Sequence, residues 1–119
     1  MNEAFMVLPW PPSVNSYWRH SSRGTYLNKP GREFRKEALA AIAKEDLKPF
    51  GDARVSVVIE LRPPDRRQRD IDNHSKGILD AMTHSKIIND DSQVDVLKLI
   101  RGPIEKDGAA YVTIEAIEF

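Results

Sequence analysis

Residues 54–61 restrict the fold most strongly, because apolar side chains alternate there over the full length of a strand. Val55, Val57 and Ile59 are spaced two apart, so in an extended chain they share one face. β-Branched residues of this kind favour strands. Pro63 and Pro64 end the pattern, because proline cannot donate a hydrogen bond to a sheet. The segment therefore predicts a strand, and with it a protein built around a sheet.

The remaining periodic segments predict two helices and three more strands. Asn28 is a favoured N-cap residue, Pro30 fits a first helical turn, and apolar residues recur on one face from Phe34 to Ile42. The predicted strands are Phe5–Leu8, Val94–Ile100 and Tyr111–Ala116, and the predicted helices run from the Asn28 cap to near Leu47 and from near Asp72 to about Thr83. Residues 16–28 are expected to form a long loop, and Lys106–Gly108 a hairpin turn.

The order of these elements is β-α-β-α-β-β, which predicts an α/β (α+β) fold. We expect a small mixed sheet with two helices, packed as two layers in one domain that spans residues 1–119. A length of 119 residues suits a single domain of this kind.

Composition excludes several classes of protein. Cysteine is absent, which excludes disulfide scaffolds, thiol nucleophiles and cysteine zinc sites, and fits a cytoplasmic protein. No apolar run approaches the roughly 18 residues that span a bilayer, so no membrane partner is expected. The net charge is zero, but residues 1–36 and 61–76 are basic while residues 77–119 are acidic. A chain polarised in this way remains compatible with nucleic-acid binding, especially if its acids hold divalent cations.

Residues 65–76 hold the densest group of chemically active side chains, in which Asp70 and Asp72 stand among arginines. Carboxylates two residues apart converge in extended backbone and diverge on a helix, so these two can converge if Asp70 is still extended and Asp72 sits at a helix entry. The arginines are expected to lower the pKa of both carboxyls, and ionised carboxylates suit a hard cation such as Mg²⁺. Alternatively, Asp72 is a helix N-cap in a solvated loop. Lys76, one turn later, either forms a surface salt bridge or faces a phosphate.

A second acidic pair, Asp90–Asp91, follows the second predicted helix. Aspartate is common in turns that precede strands, so one interpretation is purely structural. The other is that the pair returns to one end of that helix and supplies a metal ligand. The spacing does not choose which of the two carboxylates would face an ion.

The N-terminal loop interleaves aromatic and basic side chains, a combination that can stack on bases and bind phosphates. Arg19, His20 and Arg23 are the best candidates for such contacts. Trp10, held between prolines, is expected to be structural. The aromatic residues would equally pack the edge of a small core.

Together these segments resemble the RusA family of Holliday junction resolvases from end to end. The N-terminal run, the arginine-rich central run and the second acidic pair occur in the order that the family shows. The matching residues are Leu8-Pro9-Trp10-Pro11-Pro12-Ser13-Val14-Asn15, then Tyr17, Arg19 and His20, then Pro64-Asp65-Arg66-Arg67 and Arg69-Asp70-Ile71-Asp72-Asn73, and finally Lys76, Asp80, Ala81 and Asp90–Asp91.

The resemblance implies a homodimeric, magnesium-dependent endonuclease that cuts four-way DNA junctions by paired nicks, with Mn²⁺ as an alternative ion. It also implies a role in recombination and repair, often on prophage DNA. It assigns Asp70, Asp72 and Asp91 to the metal-binding catalytic set, Asp90 to a lesser role, and Lys76 to an essential one. The predicted DNA contacts are Arg66, Arg67, Arg69, Asn15, Arg19 and His20.

Two other functions stay open alongside this one. The first is a junction- or DNA-binding module without catalysis, and the second is a metal-dependent phosphohydrolase that acts on small substrates. The second would not need the basic residues of the 1–36 segment.

A dimer is expected on the junction, because a four-way junction is approximately two-fold symmetric and needs two cuts, whereas each chain has one acidic site. The candidate interfaces are Val94–Ile100 and Tyr111–Phe119.

Overall fold

A mixed four-stranded sheet organises residues 3–118, the part of the chain that the computed structural model describes. Its strand order is β1-β6-β4-β5, with β4 and β5 parallel and the other neighbours antiparallel. The strands are β1 Glu3–Leu8, β2 Trp18–Ser21, β3 Gly24–Leu27, β4 Val55–Arg62, β5 Val94–Arg101 and β6 Ala109–Ala116. The helices are α1 Val14–Tyr17, α2 Lys29–Glu45 and α3 Lys76–His84, with 3-10 helices at Ile71–His74 and Asp91–Gln93. Both ends of the predicted domain, residues 1 and 119, lie outside the described residues.

The core lies between one face of the sheet and the helices α2 and α3. Every second residue of β4 from Val55 to Leu61 is buried, as the alternating pattern predicts. Phe34 and Ile42 of α2 and Ile78 of α3 are buried in the same cluster. Burying one such side chain contributes about 1.5–3 kcal/mol, so this shared apolar face attaches the helices to the sheet. The predicted α+β fold with a small mixed sheet is confirmed.

The first predicted helix is confirmed almost to its ends. α2 begins after Asn28, which has the extended conformation of an N-cap residue, and Pro30 lies in the first turn. The helix ends at Glu45, because Asp46 adopts the left-handed conformation with φ of 50°. Aspartate tolerates that conformation better than most residues.

No helix within residues 3–118 has the length and apolar character needed to cross a membrane.

The N-terminal connection is more regular than predicted. Residues 16–28, expected to form a loop, contain the end of α1 and a hairpin of β2 and β3. Gly24 has a φ of 117°, which permits the reversal between two strands of four residues each. Most side chains of these strands are exposed, so they carry no alternating apolar pattern by which a strand is predicted. α1 is a third helix where two were predicted.

The turn predicted at Lys106–Gly108 exists, but it does not form a hairpin. Asp107 and Gly108 have positive φ values of 66° and 71°, yet β5 and β6 lie on opposite sides of β4. The connection therefore crosses the end of β4. There the Glu105 N–H donates to the Pro63 carbonyl at 3.0 Å. The hairpin prediction is wrong because a turn motif reports local backbone shape and not which strands pair.

Gly108 is restricted both by its backbone conformation and by a neighbouring side chain, so we expect even a substitution by alanine to destabilise the fold strongly. Besides its positive φ, a Cβ atom there would lie 2.8 Å from the Cβ of Trp10. Gly51 also has a positive φ, 63°, but nothing lies within 4 Å of the corresponding position. We expect Gly108→Ala to lower the free energy of unfolding by about 2–4 kcal/mol, and the control Gly51→Ala by about 1 kcal/mol. Urea denaturation measures both, and equal losses would show that Trp10 does not restrict this turn.

Candidate active site

Asp65 stabilises the loop after β4 through contacts with two residues of the same loop. Asp65 Oδ1 accepts a hydrogen bond from the Arg67 backbone N–H at 2.9 Å and forms an ion pair with Arg69 Nη2 at 2.9 Å. The hydrogen bond from the Arg67 N–H contributes most to lowering the pKa of the Asp65 carboxyl, and the Arg69 guanidinium contributes next. The side chains of Arg66 and Arg67 remain exposed on the outside of this turn.

Arg69 is bound into the framework of the loop. Its side chain is 13% exposed, and its guanidinium lies over the Trp10 ring, 5.5 Å from the centroid. Trp10 packs against His74, whose Nδ1 lies 3.2 Å from the carbonyl oxygen of Pro11. Burial lowers the pKa of His74, which favours its neutral form. Trp10 is structural, as expected, and Arg69 has protein partners that the sequence did not indicate.

An open cavity of about 640 Å³ lies beside the loop. It is lined by Arg66, Arg67, Gln68, Arg69, Asp70 and Arg101. Four guanidinium groups around one carboxylate make a positive surface, the electrostatic character that attracts phosphates. Arg101 belongs here because it pairs in register with Leu61 across parallel β4 and β5, and its Nη2 donates to the Arg69 carbonyl at 2.7 Å. Arg101 was not predicted from the sequence, because its only local signal is a basic residue at a strand end.

Asp70 and Asp72 have the backbone geometry that their spacing requires for convergence. Asp70 is extended, with φ of −88° and ψ of 120°, and Asp72 lies in the first turn of the following 3-10 helix. The helix predicted to begin near Asp72 begins instead at Lys76, with Ser75 at the cap position. The 3-10 turn intervenes because the Asn73 N–H donates to the Asp70 carbonyl at 3.2 Å. The alternative in which Asp72 caps this α-helix is therefore wrong.

Both carboxylates lie outside the core and reach solvent. Among the described residues, no ion pair within 4.0 Å includes Asp70 or Asp72. The arginine adjacent to Asp70 in sequence, Arg69, binds Asp65 instead. A structural role through salt bridges therefore does not account for the two acids.

Lys76 and Asp91 come together although fifteen residues separate them in sequence. Lys76 is the first residue of α3 and Asp91 the first residue of the second 3-10 helix. The distance from Lys76 Nζ to Asp91 Oδ2 is 3.4 Å, and the two side chains are 43% and 42% exposed. A pair this exposed contributes little to stability. Its position at the start of two helices leaves both groups accessible to a ligand.

Asp90 has a different role from its neighbour. Its Oδ2 accepts from the Ser92 backbone N–H at 2.9 Å, while Gln93 Oε1 accepts from the Asp90 N–H at 2.8 Å, which forms a capping box. The pKa of the Asp90 carboxyl is lowered, mainly by its hydrogen bonds with Ser92 and to a smaller extent by the charge of Lys76. The structure thus distinguishes the pair: Asp90 caps the 3-10 helix and Asp91 contacts Lys76.

The acidic side chains offer the oxygen donors that hard cations prefer, but they do not form one compact cluster. Within residues 3–118, no three side chains of His, Cys, Asp or Glu are grouped closely enough to hold a metal ion. Mg²⁺ commonly binds through one or two carboxylates and keeps several waters. Carboxylate oxygens suit such an ion by their chemistry, so Asp70, Asp72 and Asp91 remain the candidate ligands.

The N-terminal residues predicted to contact DNA lie outside the four-stranded sheet, on α1 and on the β2–β3 hairpin. Arg19 and His20 are exposed on β2, and Asn15 is exposed on α1. His20 Nδ1 lies 2.9 Å from Thr25 Oγ1 on the facing strand. α1 contacts both α3 and the 3-10 helix of Asp72, so the hairpin that follows α1 is connected to the elements that carry Lys76 and Asp72.

Comparison with known proteins shows similarity to one family. The family model described as Endodeoxyribonuclease RusA matches residues 9–115, a span that includes every candidate site residue above. The crossover junction endodeoxyribonuclease rusA of Enterobacteria phage HK97 is 36% identical over 118 residues, 99% of this chain and 98% of that protein. The proteins of the same name from Enterobacteria phage 82 and Escherichia coli strain K12 are each 38% identical over 115 residues, 96% of this chain and 95% of each relative.

Proposed function

The chain belongs to the RusA family of endodeoxyribonucleases, and on that premise we propose that it resolves four-way DNA junctions by paired symmetric nicks. As an endonuclease it hydrolyses phosphodiester bonds, in the recombination and repair of DNA. The observation that carries the proposal is the arginine-lined cavity that contains Asp70. Because bacterial and phage DNA lies in the cytoplasm, we place the activity there.

The proposed cofactor is Mg²⁺, with Mn²⁺ as an alternative, held by Asp70, Asp72 and Asp91. A divalent ion, when bound, supplies a nucleophilic water and stabilises the leaving oxygen. The chain's own cations act on the substrate: Lys76 Nζ, 3.4 Å from Asp91, would balance the negative charge that grows on the scissile phosphate. Asp90 would support the loop from its capping position rather than contact the ion.

We propose a homodimer, because a four-way junction is nearly two-fold symmetric and one acidic site per chain makes one cut. Of the two interfaces considered from sequence, β5 has better support. Val96, Leu97 and Ile100 of this edge strand are 49%, 42% and 37% exposed. β6 lies inside the sheet, and its Val112 is fully buried in the core. Phe119, the end of the other candidate interface, lies outside the described residues.

A labelled synthetic junction, incubated with and without magnesium, tests the function. We expect symmetric cleavage with magnesium and binding without cleavage in its absence. Binding with no cleavage under either condition would indicate a DNA-binding module. Hydrolysis of small phosphodiesters with the junction left intact would indicate the phosphohydrolase. Linear duplex of the same sequence is the control for structure selectivity.

The arginines of the loop predict a change in the salt dependence of binding. Removing one phosphate-binding side chain should reduce the slope of log K against log salt concentration by about one. We expect this reduction for Arg66→Ala and Arg67→Ala on junctions of any sequence, because their side chains are exposed beside the cavity. Lys44→Ala, which removes one charge from the end of α2, is the control.

Arg69→Ala separates the two roles of the third arginine. Since Arg69 contacts Trp10 and Asp65, we expect this variant to melt at a lower temperature than the Arg66 and Arg67 variants. Gel shifts at several salt concentrations and thermal melts of all four variants give both quantities. Unchanged slopes for Arg66→Ala and Arg67→Ala would contradict phosphate contact by this loop.

A further inference from the structure

Asp80 joins three helices at one carboxylate. It lies one turn after Lys76 on the same face of α3 and is 15% exposed. Its Oδ2 accepts hydrogen bonds from Arg35 of α2, from Nε at 3.0 Å and Nη2 at 2.7 Å, and also from the hydroxyl of Tyr17 at the end of α1. His84 Nε2 lies 3.7 Å from the other oxygen. The proposed catalytic set does not use this group, although it adjoins Lys76.

Tyr17 is enclosed on every side that the structure describes. Its side chain is fully buried. A Cβ added at Gly77, the residue directly after Lys76, would lie 3.1 Å from the Tyr17 ring, and one added at Gly31 would lie 2.6 Å from the Tyr17 carbonyl oxygen. That carbonyl accepts from the Asn28 N–H at 2.9 Å, which closes the base of the β2–β3 hairpin. The residue therefore contacts the start of α3 through its ring and the hairpin through its backbone.

We propose that Tyr17 and Asp80 are positioning residues that hold the β2–β3 hairpin in one orientation relative to Lys76. The inference rests on the proposed function and assigns that site a coupling between DNA binding and cleavage. Arg19 and His20, carried by the hairpin, would hold a DNA arm, and the Tyr17–Asp80 contact would set the distance from that arm to Lys76. Burial and the Asp80 charge raise the pKa of Tyr17 well above its usual range, so its hydroxyl stays a donor throughout the pH range of an assay.

A second triad of tyrosine, carboxylate and arginine, with Glu105 in place of an aspartate, provides a comparable control. Tyr111 donates its hydroxyl to Glu105 Oε1 at 2.7 Å, and Arg62 Nη1 donates to the same oxygen at 3.2 Å. Tyr111 and Arg62 line the face of the sheet that the helices do not cover. Tyr111→Phe therefore removes the same hydroxyl from the same kind of partners, but away from the helix that carries Lys76.

The test compares Tyr17→Phe with Tyr111→Phe. For each variant we would measure junction affinity without magnesium, the single-turnover rate of the bound junction with magnesium, and the amide hydrogen exchange of residues 18–27. We expect Tyr17→Phe to lower the single-turnover rate about tenfold, as misplacement of a reacting group does, with affinity within about twofold of wild type. Its hairpin amides should exchange faster, while Tyr111→Phe matches wild type in all three measurements.

Asp80 gives a second pair of variants. Asp80→Ala removes the acceptor, whereas Asp80→Asn keeps one oxygen for Tyr17 and Arg35, so Asn should recover most of the rate that Ala loses. A bound-junction rate unchanged in Tyr17→Phe would overturn the proposal, as would affinity and rate falling together with the melting temperature. If wild type leaves junctions intact while hairpin exchange still responds to Tyr17→Phe, the proposed function fails and the coupling of hairpin to helix stands.

Discussion

Replacing Asp70 by asparagine is expected to slow junction cleavage by at least about a hundredfold, some 2.7 kcal/mol in activation free energy, and to leave binding intact or tighter. Asp70 lies in a cavity lined by four arginines, and no described residue forms an ion pair with it. Its loss therefore breaks no ion pair among the described residues, and the surface proposed to bind DNA becomes more positive. The same loss removes an oxygen donor from the proposed magnesium site.

Asp46→Asn is the matched control for this variant. It removes one exposed negative charge at a left-handed position that asparagine accepts readily. We expect Asp46→Asn to bind and cut as wild type does. Gel shifts and single-turnover cleavage, made on the same preparations, provide the two measurements. Normal cutting by Asp70→Asn would remove this residue from the metal site.

Lys76→Ala is the second substitution with a large expected effect. We expect at least about a tenfold loss of turnover, close to 1.4 kcal/mol, because in the proposed function the ammonium beside Asp91 would balance charge on the reacting phosphate. Since both partners of the 3.4 Å pair are more than 40% exposed, the free energy of unfolding should change by less than about 1 kcal/mol. The effect on rate should thus exceed the effect on stability.

Lys29→Ala supplies the comparison for Lys76. Lys29 also opens a helix and forms an exposed pair, with Glu33 at 3.9 Å, but lies on α2. If Lys76 served only as a surface salt bridge, both variants would cut at the wild-type rate. Single-turnover cleavage and thermal melts of the two proteins separate a role in turnover from a role in folding.

Local patterns predicted the elements whose burial is periodic. The alternation of Val55, Val57 and Ile59 survives in the structure because the helices cover one face of β4. The Asn28 cap predicted the start of α2 because a helix start depends on its immediate neighbours. In both cases, residues close in sequence contain the physical cause.

Elements whose cause is distant in sequence were missed. The β2–β3 hairpin is exposed, so no periodic apolar pattern marks it in the sequence. The position of β6 on the opposite side of β4 from β5 depends on strand pairing between distant parts of the chain. Arg101 reaches the cavity only through the parallel register of β5 with β4. No local pattern contains that register.

The candidate site shows the same division. The spacing of the two acids showed that convergence needs extended backbone at Asp70, which the structure has, but it did not predict the 3-10 turn before α3. Spacing could not separate Asp90 from Asp91, because the capping box that occupies Asp90 requires Gln93 to fold back onto it. Nor could the spacing show that Arg69 forms its ion pair with Asp65 rather than with Asp70.

In the proposed function, two copies of this site cut one junction in concert. A supercoiled plasmid that carries an extruded cruciform tests it most directly, because two coordinated nicks produce linear DNA and a single nick produces an open circle. With wild-type protein and magnesium, we expect linear product from the earliest time points. Open circles as the main early product would contradict a dimer with coupled sites.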